Sequence, residues 1–151
     1  MEGKYTKIGT VVGVIALLIT IWQISRSQVA SFEGEWIMTS QIEEAMKSDY
    51  IGMEIQWVLY LTQNGNAIEG TGEKIKVNGE DLDYTSRTKL ELKGSIKGNT
   101  LNLFYKDFGT RRTTDGFFKG EVSGNTFSGT FTQRASDSKG IIFGEKKEQK
   151  E

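Results

Sequence analysis

Residues 94–105 read GSIKGNTLNLFY, and residues 120–131 read GEVSGNTFSGTF. In each, apolar and polar residues alternate, a Gly-Asn pair interrupts, and the alternation resumes. A side-chain period of two belongs to a strand with one buried face. Gly at the first position of a two-residue loop supplies the positive φ that a tight hairpin needs. Both stretches therefore read as strand, turn, strand. Their likeness is explained by repeated hairpin chemistry rather than by duplication.

The same pattern extends in both directions. A first strand covers 35–41, entered through Phe32-Glu33-Gly34-Glu35-Trp36. A polar excursion over 42–50 has room for a short helix. Residues 55–63 alternate Ile55, Trp57, Leu59 and Leu61 against Gln56, Tyr60 and Thr62. Asn64-Gly65-Asn66 turns the chain into 67–77, and Asn78-Gly79 turns it again. Residues 82–96 read as one long bent strand, followed by 100–106. A polar loop, 107–115, leads to strands at 116–123, 126–134 and 139–147. Strands in that number with short connections can close into a small antiparallel meander barrel, which removes the free edges. An open two-sheet sandwich is the alternative. Gly70, Gly72, Gly94, Gly120, Gly129 and Gly144 lie inside strands, where they mark bends or close packing, and so favour the barrel.

Residues 8–24 read IGTVVGVIALLITIWQI and carry no charge. As a helix this segment spans about 26 Å, slightly less than a hydrocarbon core of about 30 Å. Tyr5 and Trp22 fall where interfacial aromatics belong, and Gly9 and Gly13 form a Gly-x-x-x-Gly pair. The rival reading is a cleaved signal peptide. Ser25-Arg26-Ser27 and Gln28-Val29-Ala30 are both poor cleavage sites, which favours an uncleaved anchor. The expected organisation is a tail (1–7), a transmembrane helix (8–25), a linker (26–31), a barrel (32–147) and a charged tail (148–151). The fold class is all-β: a small eight-stranded antiparallel meander barrel preceded by one N-terminal transmembrane helix. Lys4 and Lys7 precede the helix and Arg26 follows it, which leans toward an external barrel.

The composition excludes several chemistries. The 151 residues contain no Cys and no His. Disulfides, thiolate nucleophiles, imidazole bases and Cys- or His-held metals are ruled out. No carboxylate pair has a spacing that predicts acid–base catalysis or a cation loop. The expectation is a non-enzyme without cofactor or metal. Nineteen basic residues against 20 acidic give a formal net charge of -1, which argues against a DNA or RNA duplex partner.

Face assignment locates a candidate site. Ile68, Gly70 and Gly72 share a face, as do Leu90, Leu92 and Gly94. So do Leu101, Leu103 and Tyr105, then Phe118, Gly120 and Val122, then Phe127, Gly129 and Phe131. These are the expected interior sets. Continued outward, the same faces reach Lys74, Tyr84, Ser86, Thr88 and Gln133. A barrel plugged at one end and polar at the other is either a ligand cup or a filled barrel with a wet rim. Arg111, Arg112 and Arg134 are candidates for binding phosphate bidentately. Tyr84 and Tyr105 are candidates for stacking on bases, and Ser86 and Gln133 for reading base edges.

Several short patterns carry a resemblance. Gly129-Thr130-Phe131-Thr132-Gln133-Arg134 is followed by Gly140-Ile141-Ile142-Phe143; 101–107 reads LNLFYKD; Leu61-Thr62-Gln63 leads to Ile68; and Phe32-Glu33-Gly34-Glu35-Trp36 opens the domain. In this order they resemble the transmembrane β-barrel effectors of bacterial cyclic-oligonucleotide anti-phage signalling (CBASS) systems. Leu103, Asp107 and Gly65 depart from that family's pattern, and one membrane helix stands here where the family usually has two. The resemblance implies a receptor-effector of the bacterial inner membrane. Its barrel would face the cytoplasm and bind a cyclic dinucleotide, leading to homo-oligomerisation and disruption of membrane lipid. Arg134 is the one candidate ligand residue that the family pattern also contains. The alternative is a membrane-anchored lipocalin-like or avidin-like barrel that binds an apolar ligand or a protein partner.

Overall fold

Alternation in 67–77 and in the strands around it fixes one inward face, and hydrogen bonding closes those strands on themselves. The computed structural model describes residues 29–148. Its strands are β1 (Gly34–Glu44), β2 (Glu54–Asn64), β3 (Ala67–Val77), β4 (Glu80–Asp81), β5 (Lys89–Lys97), β6 (Thr100–Phe108), β7 (Thr113–Ser123), β8 (Thr126–Gln133) and β9 (Ser138–Lys146). The sheet order is β2-β1-β9-β8-β7-β6-β5-β3-β4, and β2 also pairs with β3. Eight antiparallel strands thus close a barrel, while β4 is a two-residue extension hairpinned onto β3. Among the described residues no helix is long and apolar enough to cross a membrane. The expected helix over 8–25, with its flanking tail and the first half of its linker, lies outside the described residues.

The turns follow their sequences. Gly65, Gly98 and Gly124 each have φ near +60°, at 60°, 63° and 58°, and each is followed by an Asn of ordinary φ. Asn78 and Gly79 both have positive φ, 52° and 79°, as a type I′ hairpin requires. Two expectations need correction. The strand expected over 82–96 begins only at Lys89. Asp83 redirects the chain ahead of it, accepting hydrogen bonds from Thr85 Oγ1 (2.7 Å) and Ser86 N (2.9 Å). Such side-chain-to-backbone bonds compete with the ladder, and those of Thr85 first, then Ser86, hold the Asp83 carboxyl below its usual range. The loop expected over 107–115 shrinks, because β6 runs on to Phe108 and β7 starts at Thr113. The excursion after β1 contains one 3-10 turn, Ser48–Tyr50, folded back through Gly52 N donating to Ile42 O at 2.7 Å.

The inward residues form the core as assigned. Ile68, Leu90, Leu92, Leu101, Leu103, Tyr105, Phe118, Val122, Phe127 and Phe131 are all buried, as are Trp36, Trp57, Leu59 and Leu61. Aromatic rings fill the centre and one end. Phe32 lies against Trp36 at 4.3 Å between ring centroids and against Phe127 at 5.6 Å. Phe118 touches both Tyr105 (4.5 Å) and Trp57 (5.5 Å). This bulk needs closely approaching walls. Gly120 and Gly129 are register partners, and a Cβ on either would run into the other's Cα and into a neighbouring carbonyl.

The chain enters and leaves the described region at the plugged end. Ala30 N donates to Gly98 O at 2.9 Å, Phe32 N to Gln63 Oε1 at 2.7 Å, and Lys146 N to Asn125 O at 2.8 Å. The opposite end is formed by the segment after β1, the strap before β5, the β6–β7 loop and the β8–β9 turn.

Because Phe118 is fully buried between two other rings, Phe118→Ala is expected to destabilise the barrel by about 3–5 kcal/mol. Phe104→Ala, on the outer wall against Phe117, is expected to cost about 1 kcal/mol. Urea unfolding of both variants measures the difference.

Candidate functional site

Above the aromatic core the inward residues turn polar, and the open end holds a cavity of about 300 Å³. Ile42, Tyr50, Met53 and Ile55 line one side; Lys74, Thr88, Asp107, Thr114, Gln133, Ser136 and Ser138 line the other; Arg111 and Arg112 lie at the rim. Parity places the floor residues. Lys74 pairs with Trp57 just before a bulge that skips Ile75, so it shares the inward face of Trp57. Its N–H donates to Thr88 O at 2.9 Å across to the strap before β5. Asp107 continues the inward set Leu101, Leu103, Tyr105 and pairs with Leu90.

The polar wall divides into a satisfied and an unsatisfied part. Ser138 Oγ donates to Ser136 Oγ (2.7 Å), Ser136 Oγ to Gln133 Oε1 (2.8 Å), and Gln133 Nε2 to Thr114 Oγ1 (3.1 Å). Lys74 Nζ lies 3.3 Å from Asp107 Oδ2. Asp107 Oδ1 and Thr88 Oγ1, by contrast, are buried without a protein partner. So are Ser40 Oγ and the Nε1 atoms of Trp36 and Trp57, but these residues do not line the cavity. The lining holds three cations (Lys74, Arg111, Arg112) and one carboxylate (Asp107), a formal excess of positive charge. No cluster of metal-ligating residues occurs among the described residues.

The residues proposed from sequence fall into three groups. Arg111, Arg112 and Gln133 come together around the cavity. Gln133 is held by its own hydrogen bonds to Thr114 and Ser136, so its amide is committed before any ligand arrives. Tyr84 and Ser86 do not line the cavity; they sit in the Asp83 turn, and Tyr84 is 85% exposed. Arg134 is also outside, its Nε 2.7 Å from Asp115 Oδ1 on the outer surface. Tyr105 belongs to the core. It stacks on Phe118, and its hydroxyl donates to Thr132 O at 3.0 Å. Burial, then the charges of Asp107 and Asp115, push its hydroxyl pKa well above the ordinary value. Sequence reasoning missed Tyr50, Met53, Asp107, Ser136 and Ser138 as lining residues. Asp107 was within reach of the period-two rule, had β6 been continued past Lys106.

No protein-family model matches this chain, and no curated protein matches it. Among solved structures it is similar to a redesigned β-barrel, mFAP1, determined bound to DFHBI. The TM-score is 0.53 at 13% identity, over 76% of this chain and 94% of that one. This likeness concerns the barrel fold.

The raised Tyr105 pKa has a defined pH signature. Above pH about 10 the unfolded chain releases the Tyr105 proton and the folded chain retains it, so stability falls as pH rises through that region. The expected contribution is about 1.4 kcal/mol per pH unit. Tyr105→Phe is expected to lose about 1 kcal/mol at neutral pH with the Thr132 hydrogen bond and to remove that alkaline slope. Urea titrations of both proteins between pH 8 and 11 check the sign.

Proposed function

We propose that this chain is a membrane-anchored receptor whose barrel binds a cyclic dinucleotide at its open end. Binding then promotes self-association and membrane disruption, as the CBASS resemblance implies. One observation carries the reading. The open-end cavity combines three cations with buried, unpartnered acceptor atoms, so it suits a ligand that brings both negative charge and hydrogen-bond donors. A cyclic dinucleotide has both. Arg111 and Arg112, exposed at the rim and in no ion pair among the described residues, are free to take phosphates. The cavity is at the lower limit of small-molecule pockets, about 300–1,000 Å³. It therefore accommodates one base and its ribose, with the rest of the ligand lying across the rim. The membrane anchor rests on the composition of residues 8–25 and the cytoplasmic, inner-membrane placement on the family resemblance.

The filled interior weighs against one form of the lipocalin-like alternative, an apolar ligand held deep in the barrel. Phe32, Trp36, Trp57, Phe118, Phe127 and Phe131 occupy the volume that an apolar ligand would need.

Thermal unfolding of the full chain in detergent, titrated with cyclic di- and trinucleotides, tests the reading. A ligand at about 100 times its Kd adds about 2.7 kcal/mol of stability. Arg111→Glu with Arg112→Glu is expected to abolish that gain, whereas Arg134→Ala is expected to leave most of it. No shift with any of these ligands, in a folded sample, removes the cyclic-nucleotide reading.

A further inference from the structure

Lys74, Thr88 and Asp107 meet on one wall of the cavity, carried by β3, the strap before β5, and β6. Lys74 N bonds Thr88 O at 2.9 Å, and Asp107 pairs with Leu90, two residues beyond Thr88. Asp107 is only 3% exposed and Thr88 only 8%. The protein pairs Asp107 Oδ2 with Lys74 Nζ at 3.3 Å and leaves Asp107 Oδ1 and Thr88 Oγ1 unmatched. Buried polar atoms are normally partnered, so unmatched ones on residues that line a cavity point to what a ligand would supply. A carboxylate oxygen only accepts, and an ammonium only donates. The complementary group is therefore an N–H donor beside an acceptor. Across the cavity Tyr50, Met53, Ile42 and Ile55 present ring and aliphatic surface, which suits the face of a flat ring.

We propose that this wall reads the hydrogen-bonding edge of a nucleobase. A ring N–H or amino group donates to Asp107 Oδ1, and the neighbouring carbonyl or ring nitrogen accepts from Lys74 Nζ. The Thr88 hydroxyl completes the edge. The choice of a base rests on the receptor reading above; the donor–acceptor pattern rests on the wall itself.

The test uses the full chain in detergent with cyclic di-GMP, cyclic di-AMP and cyclic di-UMP, and separately with guanosine, adenosine and uridine. Asp107→Asn keeps the shape and replaces acceptor capacity with a donor; it is expected to weaken binding at least tenfold. Thr88→Val removes one unmatched hydroxyl. It is expected to raise the Tm of the unliganded chain while weakening binding several-fold, an opposition that a purely structural role does not produce. A nucleoside methylated on the donating nitrogen is expected to bind at least tenfold more weakly than its parent. Should Asp107→Asn fail to fold, Thr88→Val and the methylated nucleoside decide the matter. Unchanged binding by Asp107→Asn, or of the methylated nucleoside, overturns the base-edge assignment and leaves the receptor reading standing. Nucleoside binding that depends on Asp107, with no binding of any cyclic dinucleotide, supports the wall and overturns the phosphate reading. Absence of binding by all six compounds to the folded chain overturns both.

Discussion

The pairing of β2 with both β1 and β3 is the constraint from which the rest follows. It turns a meander with two free edges into a closed wall, so each of the eight barrel strands has a hydrogen-bonded neighbour on either side. Closure also fixes parity around the whole circumference. A residue facing inward on one strand commits its register partner to face inward on the next. One inward stripe per strand then runs the full length of the barrel, and its lower part becomes core while its upper part becomes site.

Large rings and absent side chains share the interior. Trp36, Trp57, Phe118, Phe127 and Phe131 are close to fully buried, and a closed wall of fixed circumference must give way elsewhere. It does so at Gly120, Gly129 and Gly144, where a Cβ would strike the opposing backbone, Met38 Sδ or Phe127 Cβ. Because the rings occupy the plugged end and the middle, the remaining space lies at the opposite end. There the inward stripe has changed to Lys74, Thr88 and Asp107. Cavity position and cavity chemistry thus have one cause.

Most of this fold was legible because hairpin turns and period-two alternation are local signals. The turns at Gly98-Asn99 and Gly124-Asn125 and the inward sets on β3, β6, β7 and β8 follow from residues a few positions apart. What escaped was decided by competition or by distance. Leu82, Tyr84, Ser86 and Thr88 keep the strand period, yet the Asp83 carboxylate captures Thr85 and Ser86 and turns the chain, so Tyr84 and Ser86 leave the inward face. Thr88 rejoins it just ahead of β5, where Lys74 N bonds its carbonyl. Tyr105 was read as a base-stacking residue from its chemistry, whereas its position one step below Asp107 makes it core. Arg111 and Arg112 reached the cavity from a loop whose course no periodicity specifies, and the Asp115 carboxylate that engages Arg134 became identifiable only once β7 was placed.

Both described ends of the chain sit beneath the aromatic plug, diametrically opposite the mouth. The described chain enters at one pole of the barrel, and the cavity opens at the other. Among the described residues the mouth is therefore framed by inter-strand connections and not by either end of the chain. Between the mouth and the point where the chain enters lie the packed rings of Phe32, Trp36, Trp57, Phe118 and Phe127, so the two poles face each other only across the core.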